Sequence, residues 1–338
     1  MRSGLRRTIA IMAMGFASPA AAQERIPAAV VAAQLPDGTI DPDATDWLRG
    51  AFTDATPEQR AIWTDVQAWL SRCHADGLAV IRRELSELGI ANPRLEGQVA
   101  GDRRCQTAKM LLPHAFSGST FDEFQRADTE IKRVLAIYRL GAQNGYESAP
   151  FDPAWSGKEG WTLMRATVFD QVYRRAFDLP ETVISARPEA RAALMRRVGH
   201  AVTVTDLDNT RMLKAHITEH GWPTIERVGA LASHKAWLLV QHADHDPAFQ
   251  LRALRMMEPL AAKGGIRAAN YAYLYDRVML KLTGRQRFST QIMCEGGKRV
   301  PRPIEDGIDP NLERTKMGLG PLSDYVAGMN KHYAPCPA

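Results

Sequence analysis

His242 ends a run too apolar for a solvent-facing helix, Trp237-Leu238-Leu239-Val240-Gln241, and is followed by Ala243, Asp244, His245 and Asp246. An imidazole at the end of a buried element either satisfies core hydrogen bonds or works as a base, because one ring nitrogen donates while the other accepts. The catalytic version needs a carboxylate on one nitrogen and open space at the other. Asp208 and Asp276 are the candidate orienters, and Arg174 or Arg277 the candidate cations for developing negative charge. Such a set would perform hydrolysis or elimination, with His242, Asp208 and Asp276 as its catalytic residues.

The competing chemistry is recognition. Gln241, Gln286 and Gln291 are amides, which hydrogen-bond polar ligands but do not transfer protons. With Arg174, Arg277 and Trp222 they form a candidate ligand-binding set around His242. The predominance of amides, and the lack of any catalytic signature, rank a polar-ligand or peptide binding module ahead of a hydrolase or lyase. Bland readings stand beside both. Gly221-Trp222-Pro223 fits a helix corner, with Gly past one helix, Pro opening the next and Trp222 plugging the angle. Asp276 and Arg277, being adjacent, cannot pair with each other on a helix and fit a structural salt-bridge network.

His242, Asp244, His245 and Asp246 are metal-ligand types, but Pro247 ends the helix about there and Asp246 fits the cap of the next one. No metal and no cofactor are therefore expected. The chain has no GxSxG elbow, no GxGxxG or Walker loop, no HExxH and no CxxC pair.

The elements that must position these residues read as helices nearly throughout, so the fold class is all-α: packed helical hairpins with one small β-hairpin near the C-terminus. Thr56-Pro57-Glu58 opens a helix reaching Leu88, with apolar residues such as Ile62, Val66 and Leu70 at helical spacing. Further helices are expected over 102–112, 120–141, 161–177, 187–201, 206–219, 223–244, 247–263, 266–283 and from Leu322 to about Lys331. On the 223–244 helix, Leu231, Leu238 and His242 fall within about 40° of one another, an inward-facing stripe. A hairpin at about 286–303 turns at Gly296-Gly297, with Pro301 and Pro303 confining its second strand to an edge. The implied organisation is an extended arm over 23–44, an N-terminal helical unit over 45–143, a linker over 144–160 and a second helical domain over 161–338.

The compartment is legible at the start of the chain. Arg2, Arg6 and Arg7 precede the short apolar run from Thr8 to Phe16, and Ala20-Ala21-Ala22 follows. That is the pattern of a secretory signal peptide over 1–22 cleaved near Ala22, and it implies a periplasmic or secreted protein. The chain has 43 basic and 38 acidic side chains, and the leader takes three arginines and no acid, leaving 40 against 38. That balance, without a basic block, excludes nucleic acid as partner. No later segment spans a membrane. The expected partner is a small polar ligand or peptide, or an envelope protein. Cys73, Cys105, Cys294 and Cys336 suit disulfides in an oxidising compartment. Of the three connectivities, Cys73–Cys105 and Cys294–Cys336 are favoured because each pair lies within one region of the chain.

Residues 163–328 resemble an uncharacterised bacterial family, a domain of unknown function seen in many exported and cytoplasmic proteins. The resemblance rests on Asp170-Gln171, Arg174, Asp206, Asn209, Leu213-Lys214, Gly221-Trp222-Pro223, Gly229 and Trp237. It continues through Gln241-His242-Ala243-Asp244, Phe249-Gln250, Asp276-Arg277, Gln286, Thr290-Gln291, Ile304-Glu305-Asp306, Gly318-Leu319 and Tyr325. Phe288-Ser289 departs from it, since Tyr-Gly is more usual there. The resemblance implies an all-α domain with a small hairpin and brings no reaction with it; residues 23–150 have no counterpart in it.

Overall fold

The computed structural model describes residues 26–148, 157–180, 183–184 and 187–337. The leader expected over 1–22 lies outside them. The described chain is helical with a single two-stranded antiparallel hairpin, as the sequence reading expects. No helix in it is long and apolar enough to cross a membrane.

The long first helices begin where side chains satisfy the orphan N–H groups of a helix start. α1 is a single turn, Ala28–Ala32, inside the segment expected to be an extended arm; Val30 and Ile40 are buried there against the first core. α2, Pro57–Glu87, starts with Pro57 and a reciprocal capping box between Thr56 and Gln59. α3, Arg103–Met110, is capped by Asp102, whose carboxylate accepts from Cys105 N at 2.8 Å. α4 runs over Phe121–Ser148 and α5 over Gly157–Arg175, so helix enters both ends of the expected 144–160 linker.

α6 covers Pro188–His220 without a break, where two helices were expected. The polar and β-branched run Thr203-Val204-Thr205-Asp206 reads as a junction locally, but α6 packs against α3, α4 and α5, and those contacts override weak propensity. Gly221, at φ 72°, ends it. α7, Ile225–Gln241, is capped by Thr224, so Pro223 precedes the cap instead of opening the helix. Gly229 inside it adopts φ 81° and ψ 158°, a kink that a side chain would strain. Its buried stripe is Val228, Ala232, Ala236, Leu239 and Val240; Leu231, expected inside, is 42 % exposed. α7 packs against α5.

α8, Pro247–Ala262, begins with Pro247 under the Asp246 cap, and α9, Ala268–Thr283, packs against it. Strands β1, Ile292–Glu295, and β2, Lys298–Pro301, pair antiparallel with Glu295 opposite Lys298 across Gly296-Gly297. Asp276 on α9 holds the loop before the hairpin: it accepts from Arg287, Phe288 and Thr290 N–H groups and from the Thr290 hydroxyl, all at 2.8–2.9 Å. α10, Pro310–Lys316, and α11, Leu322–His332, close the chain. Cys73–Cys105 joins α2 to α3, and Cys294–Cys336 ties β1 to the segment after α11; both pairings are the expected ones. The apolar interior forms two clusters. One gathers α1 to α4 with the first half of α6; the other gathers α5, α7, α8, α9, the second half of α6 and the end of α2.

Candidate functional site

The end of α7 is where the polar side chains converge. His242 is its C-terminal cap, at φ −91° and ψ −4°, so the buried stripe of the helix fixes where the imidazole emerges. Its Nδ1 lies 2.7 Å from Oδ1 of Asp170 on α5. A carboxylate only accepts, so Nδ1 carries a proton, which leaves Nε2 as the nitrogen that offers a lone pair in the neutral ring. Nε2 has no hydrogen bond among the described residues, and the side chain stays 18 % exposed.

Asp170 is completely buried, where a charge needs partners. Besides His242 it accepts from Arg174 Nη1 at 2.5 Å and from Gln171 Nε2 at 2.6 Å. Burial alone would raise its pKa, but His242 and Arg174 outweigh that and hold it below the ordinary carboxylate value. The other Arg174 nitrogen reaches both oxygens of Asp206 on α6, at 2.9 and 2.8 Å. Burial pushes Asp206 up to about 7 against the pull of Arg174, with the charges of Asp170 and Asp244 adding to the rise. One guanidinium thus bridges two carboxylates whose pKa values are moved in opposite directions, the lowered one lying against the histidine.

Ligand atoms of Asp170, Asp206 and His242 lie within 4.8 Å of one another, a donor set that suits a divalent ion. This set differs from the 242–246 residues weighed from sequence. Arg174 already places a positive charge on both carboxylates, so in this arrangement the trio is an ion-pair network.

His242 and Asp206 line a cavity of about 280 Å³. α6 adds Thr203, α3 adds Gln106, and the loop before α3 adds Gln98. Lys281 on α9 lines it too, and donates to the main-chain carbonyl and Oδ1 of Asp244, each at 2.9 Å. Burial lowers the Lys281 pKa although Asp244 opposes the shift. Asp244 is also gripped by Arg277, and together these cations overcome burial to hold it far below the usual carboxylate range. His245, on the same loop, is brought down to about 4 by burial.

The structure brings His242 and Arg174 together but not the orienters expected for them. Asp208 faces Arg103 and Arg211 near the surface, one turn or less from Asp206 but outside the cluster. Asp276 is spent on the loop before the hairpin. Asp170 takes the orienting position instead, and its signal in sequence is the Asp170–Arg174 spacing of four residues on one helix face. Arg277 acts one layer back, through Asp244. Gln241 is buried, and its main-chain carbonyl receives Gln250. Gln286 is wholly buried and donates to the carbonyls of Gln291 and Arg302 while accepting from Gln291 N, which makes it a clamp at the hairpin base. Gln291 donates to Thr290 Oγ1. Trp222 packs in the second apolar cluster. Gln98, Gln106, Thr203 and Lys281 were not singled out from sequence, because long-range folding alone assembles them.

No curated protein and no solved structure matches the chain. Residues 167–335, half of the chain, contain Asp170, Arg174, Asp206 and His242 and match a family of unknown function (DUF6624), to which the chain therefore belongs.

Proposed function

We propose that this protein is an exported hydrolase in which His242 is the general base and Asp170 orients it. The observation that carries this reading is the buried Asp170 on Nδ1, with Nε2 free of partners in a residue lining the cavity. Two disulfides and the signal-like start support export. In the reaction, a water O–H proton passes to Nε2 as the water oxygen bonds to an acyl carbon. Asp170, anchored by Arg174, stabilises the imidazolium. The same proton then returns to the leaving group as its bond to carbon breaks. Lys281, on the cavity wall, supplies positive potential for the transient oxyanion.

The test is turnover of a panel of p-nitrophenyl esters and peptide p-nitroanilides by the oxidised protein. General acid–base catalysis contributes roughly 10²–10⁴-fold, so Asp170→Asn and His242→Ala should each lower kcat by that factor with KM little changed. Equal kcat in the wild type and His242→Ala would sink the reading. A polar-ligand or peptide binding module is the second reading, favoured by the amide residues Gln98 and Gln106 that line the cavity with His242. It predicts a raised melting temperature with ligand and no turnover.

A further inference from the structure

A second cavity, of about 480 Å³, shares no lining residue with the one that holds His242. Met212, His216 and His220 reach it from α6, spaced four residues apart and therefore on one face of the helix. Glu159 reaches it from the first turn of α5, and Arg227 from α7. The imidazoles of His216 and His220 stand on successive turns with ring centroids 5.0 Å apart. Two histidines at this spacing are how one helix face offers two nitrogen ligands to one metal ion.

The surroundings of the pair decide which nitrogens are on offer. Nε2 of His216 lies 2.7 Å from Oε1 of Glu159. The carboxylate accepts, so Nε2 carries a proton and Nδ1 is the nitrogen with a lone pair in the neutral ring. Nδ1 has no hydrogen bond among the described residues and is not sealed from solvent. A carboxylate behind an imidazole raises its basicity and fixes the ring, as the outer partners of metal-bound histidines do. Glu159 is itself held by Arg227, whose Nε and Nη2 lie 3.1 and 2.9 Å from the same oxygen. Arg227 also donates to the main-chain carbonyls of His220 and Gly221, which pins the end of the helix on which His220 stands. The His220 side chain is 47 % exposed, and its Nε2 lies 3.5 Å from Oε1 of the exposed Glu219. His220 is the last residue of α6, where the negative end of the helix dipole favours a cation. Glu159 and Arg227 offset each other, and the remaining charge on the lining, Lys158, is exposed, where water and salt screen it.

We propose that His216 and His220 bind a divalent transition metal ion such as zinc, through Nδ1 of His216 and a ring nitrogen of His220, with Glu159 as the outer partner that orients His216. Imidazole suits zinc, nickel and copper, whereas calcium and magnesium take oxygen ligands. Solvent completes the coordination, with the Glu219 carboxylate beside His220 as a further donor. The ion ties the end of α6 to α5 through His216 and Glu159. The hydrolase reading uses none of these residues, so the two stand or fall separately.

The experiment is calorimetric titration of the untagged, oxidised, chelator-stripped protein with zinc chloride and, separately, with calcium chloride. Saturable binding of one zinc ion per chain is expected, and no saturable binding of calcium. His216→Gln and His220→Gln should each weaken zinc binding by more than about tenfold, and Glu159→Gln, which keeps both ligands, by about tenfold. His242→Ala, in the other cavity, should bind zinc as the wild type does. His220 is exposed at a helix end, so His220→Gln leaves the core intact and decides the matter if another variant fails to fold. Absence of zinc binding by the wild type would overturn the proposal, as would unchanged zinc affinity in His220→Gln or equal affinity for calcium. Loss of zinc binding in His242→Ala would also overturn it, placing the ion among Asp170, Asp206 and His242 instead.

Discussion

At the scale of single residues, His242 is decided by what lies on each side of its ring. The sequence marks it as a polar group at the end of a buried run, and that placement is what the structure shows. Its orienter was not legible. Asp208 and Asp276 are as acidic as Asp170, and only the packing of α5 on α7 selects among them. Asp170 on α5 touches the imidazole, while Asp208 on α6, two residues from Asp206, pairs with Arg103 near the surface. Ser289 departs from the resemblance, in which glycine is more usual, and the backbone there has φ 50°, the left-handed region. Its hydroxyl is also buried without a partner. Relief of both costs, less the extra freedom glycine gains when unfolded, predicts that Ser289→Gly stabilises the protein by about 1 kcal/mol. Urea unfolding of the variant checks this, and a lower midpoint would show that the strain is absent.

At the scale of elements, most helices follow from their caps. Thr56 with Pro57, Asp102, and Asp246 with Pro247 each start a helix within a residue or two of where the sequence places it. α6 escapes that logic because its middle is held by partners from elsewhere. Arg196 and Arg197 share buried Asp128 of α4, and His200 Nε2 lies 2.9 Å from the Ile40 carbonyl. Expecting a break before Asp206 hid that Asp206 stands mid-helix facing Arg174. His200 also makes α6 sensitive to acid. Burial, with Arg196 and Arg197 beside it, lowers its pKa from 6.5 to about 4 although the Ile40 carbonyl opposes the shift. The unfolded chain therefore binds a proton that the folded one refuses. Stability from this group is complete above about pH 6.5 and is lost as pH falls toward 4, by up to about 3 kcal/mol. His200→Gln should lose less stability than the wild type between pH 7 and 4.5 in urea titrations. An unchanged slope would mean that other groups, with His245 foremost, set the acid limit.

At the scale of the whole molecule, the candidate site is built from two parts of the chain. The Asp170–His242 pair lies inside the family-matched residues, while Gln98 and Gln106 come from before them and line the same cavity as His242. A sequence read segment by segment assigns helices well but cannot see that meeting. The Cys73–Cys105 bridge sits where Gly101, in the loop before α3, lies against α2, beside a cleft of about 490 Å³. It closes a loop of sequence separation 32, so the double variant Cys73→Ala/Cys105→Ala should lose roughly 3–4 kcal/mol in the chain-entropy treatment. Thermal unfolding of that variant measures the loss, and a shift of less than a degree or two would contradict it. The hydrolase account meets its most direct test in water labelled with oxygen-18. The oxidised protein and His242→Ala are each incubated with the p-nitrophenyl esters and peptide p-nitroanilides, and the products are weighed by mass spectrometry. The account predicts fragments whose new carboxyl groups carry the label with the wild type, and a loss of nearly all of them with His242→Ala. No labelled fragments from the wild type, or the same fragments from both proteins, would contradict it.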